Sequence, residues 1–298
     1  LNKVIENQET RPDCILIHNF KKRGEKVLNI AAEYDIPIFF FNAGFKQNSN
    51  VGQPRGKYPN WIGLMVPDDE FAGYLLAKEL IAGAKKMEVN SSGTIQMVAL
   101  EGNRTSEASN KRVAGLKRAL EEHPEVINNQ FFHSKWKSDQ AKEAFVVARR
   151  RYPDTTLFWT ASESMAIGVI DRAKELGIVP GKDFITGGVD LLPEHKQYLE
   201  SGDMAVSVGG HYFEGAWVLA LIHDYLNGID FGNGGNFSYM TKMISQTKDD
   251  FTKLIDIYSA LSKESLSSFD FKKLSRTHNP QLEKYDFDLE IFLQKSSD

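Results

Sequence analysis

The chain has 298 residues, a formal net charge of −4 and a single cysteine. The length allows one large or two medium domains with a substantial core, and the small net charge gives no strong attraction to nucleic acid or to an anionic membrane. One cysteine excludes an intrachain disulfide and a metal site made only of cysteines. The sequence has no apolar run of the roughly 18 residues that a membrane-spanning helix needs.

Strand and helix patterns alternate along nearly the whole chain, which is typical of βαβ units and predicts an α/β fold with parallel sheets. The predicted strands cover 13–18, 37–42, 61–66, 94–100, 130–134, 156–159, 183–187, 205–208 and 239–244. The predicted helices cover 1–7, 25–34, 71–82, 106–122, 138–152, 165–176, 193–201 and 213–227. Asp68 and Asp69 precede one of these helices, and we expect both to favour its N-terminus.

Polar side chains lie a few residues after the ends of two of the predicted strands. Ser162 and Glu163 come after the strand at 156–159, and Asp190 comes after the strand at 183–187. In an open α/β sheet, ligands bind outside the carboxyl ends of the strands. We therefore predict that these three side chains line one ligand site.

The same stretch of chain resembles a known family. Segment 161–168 (ASESMAIG) and segment 187–190 (GGVD) resemble the motifs Asn-Asp-x-Met-Ala-x-Gly and Gly-x-Asp of the type I periplasmic sugar-binding proteins and the related lac-repressor-type cores. Ser162-Glu163 stands where the family usually has Asn-Asp. The resemblance implies two Rossmann-like lobes with parallel sheets, joined by a three-segment hinge.

The resemblance also implies where the lobes begin and end. The chain is expected to cross between the lobes near 66–69, 209–210 and 245. The predicted N-terminal lobe comprises 1–68 and 210–244, and the predicted C-terminal lobe with its tail comprises 69–209 and 245–298. The tail after 245 is similar to that of the periplasmic autoinducer-2 receptor branch of the family.

The beginning of the chain differs from the family pattern, because the family's domain starts with a strand and this chain starts with a predicted helix at 1–7. We therefore expect that the family's first strand is missing from this chain. We also expect the protein to be periplasmic, with its signal peptide removed.

Two motifs of the N-terminal lobe imply ligand contacts. Segment 13–19 (DCILIHN) resembles the family's Asp-Gly-x-Ile strand, whose end contacts the ligand, and this places His18 and Asn19 at the site. Segment 36–42 (IPIFFFN) resembles Ile-Pro-Val-x-x-x-Asp, with Asn42 at the acidic position. An amide both donates and accepts hydrogen bonds, so Asn42 suits a ligand hydroxyl.

The C-terminal lobe supplies the remaining implied contacts. Arg112 lies in a segment that resembles Arg-x-x-Gly-Phe, and its guanidinium can hold two adjacent hydroxyls. Trp136 lies between a strand and a helix, where family members often stack an aromatic ring on a sugar. Asp190 would accept hydrogen bonds from ligand hydroxyls. His211 follows Gly209-Gly210 at a crossing, and for it a ligand contact and a structural role both remain open.

The predicted function is that of a receptor that closes around a small polar ligand. The ligand would be a monosaccharide or a sugar-derived signal such as autoinducer-2, presented to an ABC transporter or to a membrane sensor kinase or cyclase. The resemblance implies no cofactor, no metal, no nucleic acid partner and a monomeric protein.

Two other functional classes remain open. The first is the effector-binding core of a lac-repressor-type transcription regulator. The second is an enzyme on a similar scaffold, which the sequence does not favour. It contains no P-loop, no Gly-x-Ser-x-Gly elbow and no His-Glu-x-x-His motif, and its seven histidines are scattered.

Overall fold

A computed structural model describes residues 5–19, 22–46, 49–87, 93–232, 235–248 and 270–289. The chain divides into two compact units. Unit 1 comprises Leu1–Pro67, Phe213–Lys242 and Ser268–Asp298. Unit 2 comprises Asp68–Tyr212 and Met243–Ser267.

The described elements follow the predicted alternation, which confirms the α/β class. The strands are β1 (Ile15–Ile17), β2 (Ile38–Phe41), β3 (Trp61–Pro67), β4 (Ile95–Glu101), β5 (Val126–His133), β6 (Leu157–Thr160), β7 (Ile185–Val189), β8 (Val206–Gly209), β9 (Ser238–Thr241) and β10 (Ile244–Thr247). The helices are α1 (Gly24–Glu33), α2 (Asp69–Ala84), α3 (Glu107–Glu121), α4 (Ser138–Arg151), α5 (Glu163–Glu175), α6 (Lys196–Ser201) and α7 (Glu214–Leu226).

Unit 1 contains a parallel sheet with the strand order β1-β2-β3-β9. Its β2 is apolar at every position, and Ile38, Phe39 and Phe40 are fully buried. Both faces of β2 are therefore covered, as expected of a strand inside a parallel sheet. Leu28 and Ala31 of α1 pack into the same core.

Unit 2 contains a sheet with the strand order β10-β8-β7-β6-β4-β5, in which only the pairing of β10 with β8 is antiparallel. From β4 the chain moves outward to β5 and then returns to the other side of β4, at β6. Because crossovers between parallel strands are right-handed, α3 covers one face of the sheet and α4 and α5 cover the other. The point of reversal, between β4 and β6, is where such a sheet opens a crevice at its carboxyl edge.

One prediction joined two strands that the structure separates. Residues 239–244 were expected to form one strand, but β9 pairs with β3 in unit 1 and β10 pairs with β8 in unit 2. The strand pattern continues across Lys242 and Met243, so local sequence does not mark the break. The break between β9 and β10 is set by their different partner strands, β3 and β8.

The tail also differs from the prediction, which assigned all of 245–298 to the second lobe. Residues 270–289 belong to unit 1 and are held by the buried carboxylate of Asp224 in α7. Its four hydrogen-bond donors, at 2.5 to 2.9 Å, are Ser275 Oγ, Arg276 N, Thr277 N and Tyr285 Oη. The expected helix at 1–7 lies partly outside the described residues.

We predict that Asp224→Asn lowers the free energy of unfolding by about 2 kcal/mol at pH 7, because an amide nitrogen would then face donors of the tail. Burial raises the pKa of Asp224, but the hydrogen bonds from Ser275, Tyr285 and Thr277 lower it by more, to about 2. A lowered pKa means that this stability is present at neutral pH and is lost as the pH falls through about 4 to 2. Urea unfolding at pH 7 and at pH 3 measures both effects.

Asp270→Asn is the matched control, because Asp270 caps the 3-10 turn at Phe271–Leu274 through the amide of Lys272, and asparagine caps equally well. It should change stability by less than about 0.5 kcal/mol. Equal losses for the two variants would contradict a specific role for Asp224.

No helix in the described part of the chain combines the length and the apolar character that crossing a membrane demands.

Candidate functional site

The carboxyl edge of the six-stranded sheet in unit 2 brings together four of the predicted site residues. Asp190 follows β7, His211 lies two residues after β8, and Trp136 lies between β5 and α4. Arg112 approaches from α3, which follows β4. These side chains therefore meet at the strand ends that flank the point of reversal of the sheet.

Arg112 is the centre of this cluster and is only 4% exposed. Its Nε donates to Asp69 Oδ1 at 2.8 Å, and its Nη1 donates to the carbonyl of Ala161 at 2.7 Å. Nη1 also lies 3.5 Å from Asp190 Oδ1. No hydrogen bond joins Nη2 to any other residue that the structure describes. The guanidinium is thus fixed in orientation and keeps donors for a ligand.

Close packing of α2 against α3 allows the contact between Arg112 and Asp69. A Cβ at Gly73 of α2 would lie 1.9 Å from the carbonyl oxygen of Arg112, so only glycine permits this approach. As expected, both aspartates stand at the start of α2: Asp68 caps it by accepting from the amide of Phe71 at 3.0 Å, and Asp69 lies in its first turn. The ion pair of Asp69 with Arg112 was not predicted from the sequence.

The charges of the cluster depend on one another. Burial lowers the pKa of Arg112, but the carboxylates of Asp69 and Asp190 raise it by more, so the guanidinium stays charged. Burial raises the pKa of Asp190 to about 7, against the lowering effect of Arg112 and with a further raising effect of Glu163. A side chain that is one quarter exposed and titrates near neutral pH is typical of a functional site.

His211 completes the charge pattern as a neutral ring. Burial and the nearby Arg112 lower the pKa of His211 to about 3. Its Nε2 lies 3.8 Å from Asp190 Oδ1, and its Nδ1 has no hydrogen-bond partner among the described residues. The hydroxyl of Ser162 is also buried without a partner in that part of the chain. Buried polar atoms of this kind need an explanation, and a bound polar ligand is one.

Trp136 supplies an aromatic surface beside the arginine. Its half-buried ring packs against Gly102, and the Arg112 Cζ lies 5.6 Å from the ring centroid. The backbone of Trp136 has φ 65° and that of Asp190 has φ 154°, both in the region that disfavours residues with a side chain. Such strain is concentrated at functional sites in proteins.

Glu163 lies beneath this edge rather than on its surface. Its side chain is fully buried at the start of α5 and is hydrogen-bonded within unit 2. The sequence predicted a ligand contact for this residue and did not reveal its partners, Ser207 and His195, which lie far along the chain.

Unit 1 holds the other three predicted residues at the ends of its own strands. Asn42 follows β2 with φ 58° and is exposed, and its backbone N–H donates to Met65 O and to Glu214 Oε2. His18 is exposed after β1, with its ring 6.3 Å from that of Phe41.

Asn19 has its amide group committed within unit 1. Its Oδ1 accepts from the amide of Gly24 and its Nδ2 donates to the carbonyl of Gly44, both at 2.8 Å. These two bonds tie the start of α1 to the loop after β2. Within the described residues, no group of three or more His, Cys, Asp or Glu side chains is arranged to hold a metal ion.

Comparisons with known proteins agree with this architecture. A family model described as periplasmic binding protein domain matches residues 1–230. The galactofuranose-binding protein YtfQ of Escherichia coli K12 is 26% identical over 189 residues, which is 62% of this chain and 54% of that protein. The chain therefore matches about half the length of this relative.

Two solved structures resemble this one. The crystal structure of a periplasmic sugar-binding protein from Pseudomonas fluorescens has a TM-score of 0.82 and 29% identity, over 98% of this chain and 84% of that one. The periplasmic binding protein component of the arabinose ABC transporter from Shewanella sp. ANA-3, bound to arabinofuranose, has a TM-score of 0.69 and 18% identity, over 89% and 85% of the two chains. The second likeness shows the fold alone.

Proposed function

The chain belongs to the periplasmic binding protein family, and from this premise we propose that it is the sugar-binding receptor of an ABC transporter, with a sugar in its furanose form as the ligand. The observation that carries the proposal is the arrangement of Arg112, Asp190 and Trp136 at one sheet edge. The choice of ligand class is supported by two similar proteins, a galactofuranose-binding protein and a transporter component bound to arabinofuranose.

The chemistry of these side chains suits a sugar. Nη2 of Arg112 can donate to neighbouring ring hydroxyls, and the Asp190 carboxylate can accept from one or two of them. The indole of Trp136 offers a flat apolar surface for the C–H groups of the ring. A site with a few fixed polar groups and one aromatic wall orients a small polar ligand.

The proposal includes the remaining predicted contacts and the wider role. Ser162, Asn42, His18, Asn19 and His211 remain proposed as further ligand contacts. Binding would be followed by closure and by presentation of the ligand to a permease or to a membrane sensor. The protein would act by binding in the periplasm as a monomer, without catalysis. Autoinducer-2, which has a hydroxyl-rich furanosyl core, is included among the ligands to be tested.

The test is a direct binding measurement. The protein is titrated calorimetrically with L-arabinose, D-galactose, D-allose, D-ribose and autoinducer-2, and its melting temperature is recorded with each. A ligand at a thousandfold excess over its Kd should stabilise the protein by about 4 kcal/mol. Absence of binding to every compound, with the protein cooperatively folded, would overturn the proposal.

The ring form is tested separately with sugar that carries 13C at the anomeric carbon. Furanose and pyranose forms give separate anomeric NMR signals, so preferential broadening of the furanose signals at substoichiometric protein identifies the bound form. Broadening of the pyranose signals alone would refute the furanose preference while leaving the sugar-binding role intact.

A further inference from the structure

Glu163 is a fully buried carboxylate whose two oxygens are both used inside unit 2. Oε1 accepts a hydrogen bond from the Ser207 hydroxyl in β8. Oε2 accepts from the amide of Leu192 at 3.0 Å and lies 2.9 Å from His195 Nδ1. A ligand cannot reach this carboxylate, so its chemistry is directed at the protein.

Two of these three partners lie on the segment that leaves β7, residues 190–195. That segment begins with φ 154° at Asp190 and φ 55° at Leu191, which are conformations that side-chain-bearing residues disfavour. Just before this segment, the backbone at Gly188 packs closely against the start of α5, since a Cβ at Gly188 would lie 2.5 Å from the amide nitrogen of Glu163. A disfavoured backbone persists only where surrounding contacts hold it in place.

Asp190 depends on this segment for its position. Its carboxylate lies 3.5 Å from Arg112 Nη1, and its own backbone amide is bound to Val208 O at 2.8 Å. The hydrogen bonds of Glu163 fix the chain two and five residues later. We infer that Glu163 is a positioning residue that holds 190–195 and thereby sets where Asp190 presents its carboxylate to the sugar. The inference rests on the proposed sugar-binding function.

The pKa of His195 provides a second measure of the contact between Glu163 and this segment. The hydrogen bond that His195 donates to Glu163 raises the pKa of His195, as do the charges of Glu163, Glu194 and Asp190, while burial lowers it. The protonated imidazole is thereby favoured beside the buried carboxylate. Loss of the carboxylate should lower the pKa of His195, which NMR titration of its ring protons measures directly.

The binding test is a double-mutant cycle with Glu163→Met and Asp190→Asn, using the sugar that binds the wild type most tightly in the calorimetric panel. Methionine keeps the length of the side chain and removes both acceptor oxygens. Glu163→Met should weaken binding by about tenfold in the wild-type background and by less than about twofold when Asp190 is already asparagine. Equal weakening in both backgrounds would overturn the inference, because Glu163 would then not act through Asp190.

A conservative variant and a control exclude a merely structural effect. Glu163→Gln keeps one acceptor for Leu192, and the Ser207 hydroxyl can turn to accept from the new amide, so affinity should return to within about threefold of wild type. Asp224→Asn removes one oxygen of another buried carboxylate, in unit 1, and should lower stability without weakening binding by more than about twofold. A loss of affinity in Asp224→Asn as large as in Glu163→Met would refute the inference.

A readout without ligand separates this inference from the proposed function. In the free protein, the amide of Leu192 should exchange with solvent about tenfold faster in Glu163→Met than in wild type, while the amide of Val169 in α5 is unchanged. Unchanged exchange at Leu192 would show that Glu163 does not hold the segment. If the wild type binds no sugar, the proposed function fails, but the exchange result still decides whether Glu163 holds the segment.

If Glu163→Met does not fold, His195→Ala tests the same segment, because His195 is only partly buried and its replacement is better tolerated. It removes one of the two holds on the segment and leaves Glu163 with two donors. It should weaken binding by about threefold with Asp190 present and leave binding unchanged in Asp190→Asn. Weakening of the same size in both backgrounds would overturn the inference.

Discussion

Arg112→Ala is expected to weaken sugar binding by about 100-fold and to lower the free energy of unfolding by about 3 kcal/mol at pH 8. The side chain is 4% exposed and lies between the carboxylates of Asp69 and Asp190, at 2.8 and 3.5 Å. Removing it leaves two carboxylates facing each other in a poorly solvated place. Removing one partner of a buried ion pair costs more than the pair itself contributes, because the other charge is left uncompensated.

The loss of stability should depend on pH. At pH 5 Asp190 of the variant can take up a proton, which removes an uncompensated buried charge, so the loss should be smaller than at pH 8. Urea unfolding at the two pH values measures this difference. A loss of stability that is equal at the two pH values would show that the uncompensated charge of Asp190 does not carry the effect.

Arg118→Ala is the matched control for Arg112→Ala. Arg118 lies on the same helix, 45% of its side chain is exposed, and its Nη1 lies 3.3 Å from Glu70 Oε1. An exposed ion pair contributes less than about 1 kcal/mol, so this variant should remain close to wild type in stability and in affinity. Similar losses for the two arginines would contradict the assignment of Arg112 as the ligand-binding one.

The sequence predicted the fold better than it predicted the contacts beneath the site. The predicted strand at 61–66 agrees with β3 to within one residue. A parallel strand that is buried on both faces gives an unbroken apolar run, which is easy to recognise in the sequence. The division of 239–244 into β9 and β10 could not be predicted, since it depends on which strand each half pairs with. Hydrogen-bond partners distant in sequence are invisible to local periodicity.

The same holds for the site, where the sequence predicted the residues that we propose to face the ligand but not the contacts beneath them. Motif position brought Arg112, Asp190 and Trp136 to one edge, because strand ends and helix starts follow from local pattern. Which of two adjacent aspartates pairs with Arg112 depends on the close contact of α2 with α3. Glu163 follows a strand just as a ligand-binding residue would, and only the position of Ser207, 44 residues later, reveals that it faces inward.

Asp190→Asn is expected to weaken sugar binding by about 30-fold at pH 8, because it replaces a charged acceptor of ligand hydroxyls by a neutral amide. In wild type the affinity should rise as the pH rises through about 7 and level off about one pH unit higher, because the ionised carboxylate is the better acceptor and the pKa of Asp190 is about 7. In Asp190→Asn the affinity should not rise over this range.

The titration of Asp190 must be distinguished from the effects of the neighbouring charged and titratable groups. Arg112 and Asp69 face Asp190 from α3 and α2, and Glu163 faces it from α5. His211, with its pKa of about 3, stays neutral throughout the range. His195 titrates with a raised pKa, so the affinity profile is repeated in a His195→Gln background. A rise that disappears with His195→Gln and persists in Asp190→Asn would assign the pH dependence to His195 instead.

The same substitution should act on stability in the opposite direction. Because the pKa of Asp190 is raised on folding, its contribution to stability is present below about pH 4 and is lost as the pH rises through about 7. Asparagine cannot ionise, so Asp190→Asn should match wild type near pH 4 and exceed it by about 2 kcal/mol at pH 8. A residue that costs stability in the free protein is kept for what it does in the complex.

Asp171→Asn provides the comparison for this stability effect. Asp171 is an aspartate of the same unit, with 36% of its side chain exposed and its Oδ2 3.8 Å from Lys142 Nζ. Its replacement should change the free energy of unfolding by less than about 0.5 kcal/mol at either pH. If Asp190→Asn were less stable than wild type at pH 8, the attraction of Arg112 would outweigh the cost of burying the charge. Arg112 and Asp190 would then form a structural ion pair rather than a site held ready for a ligand.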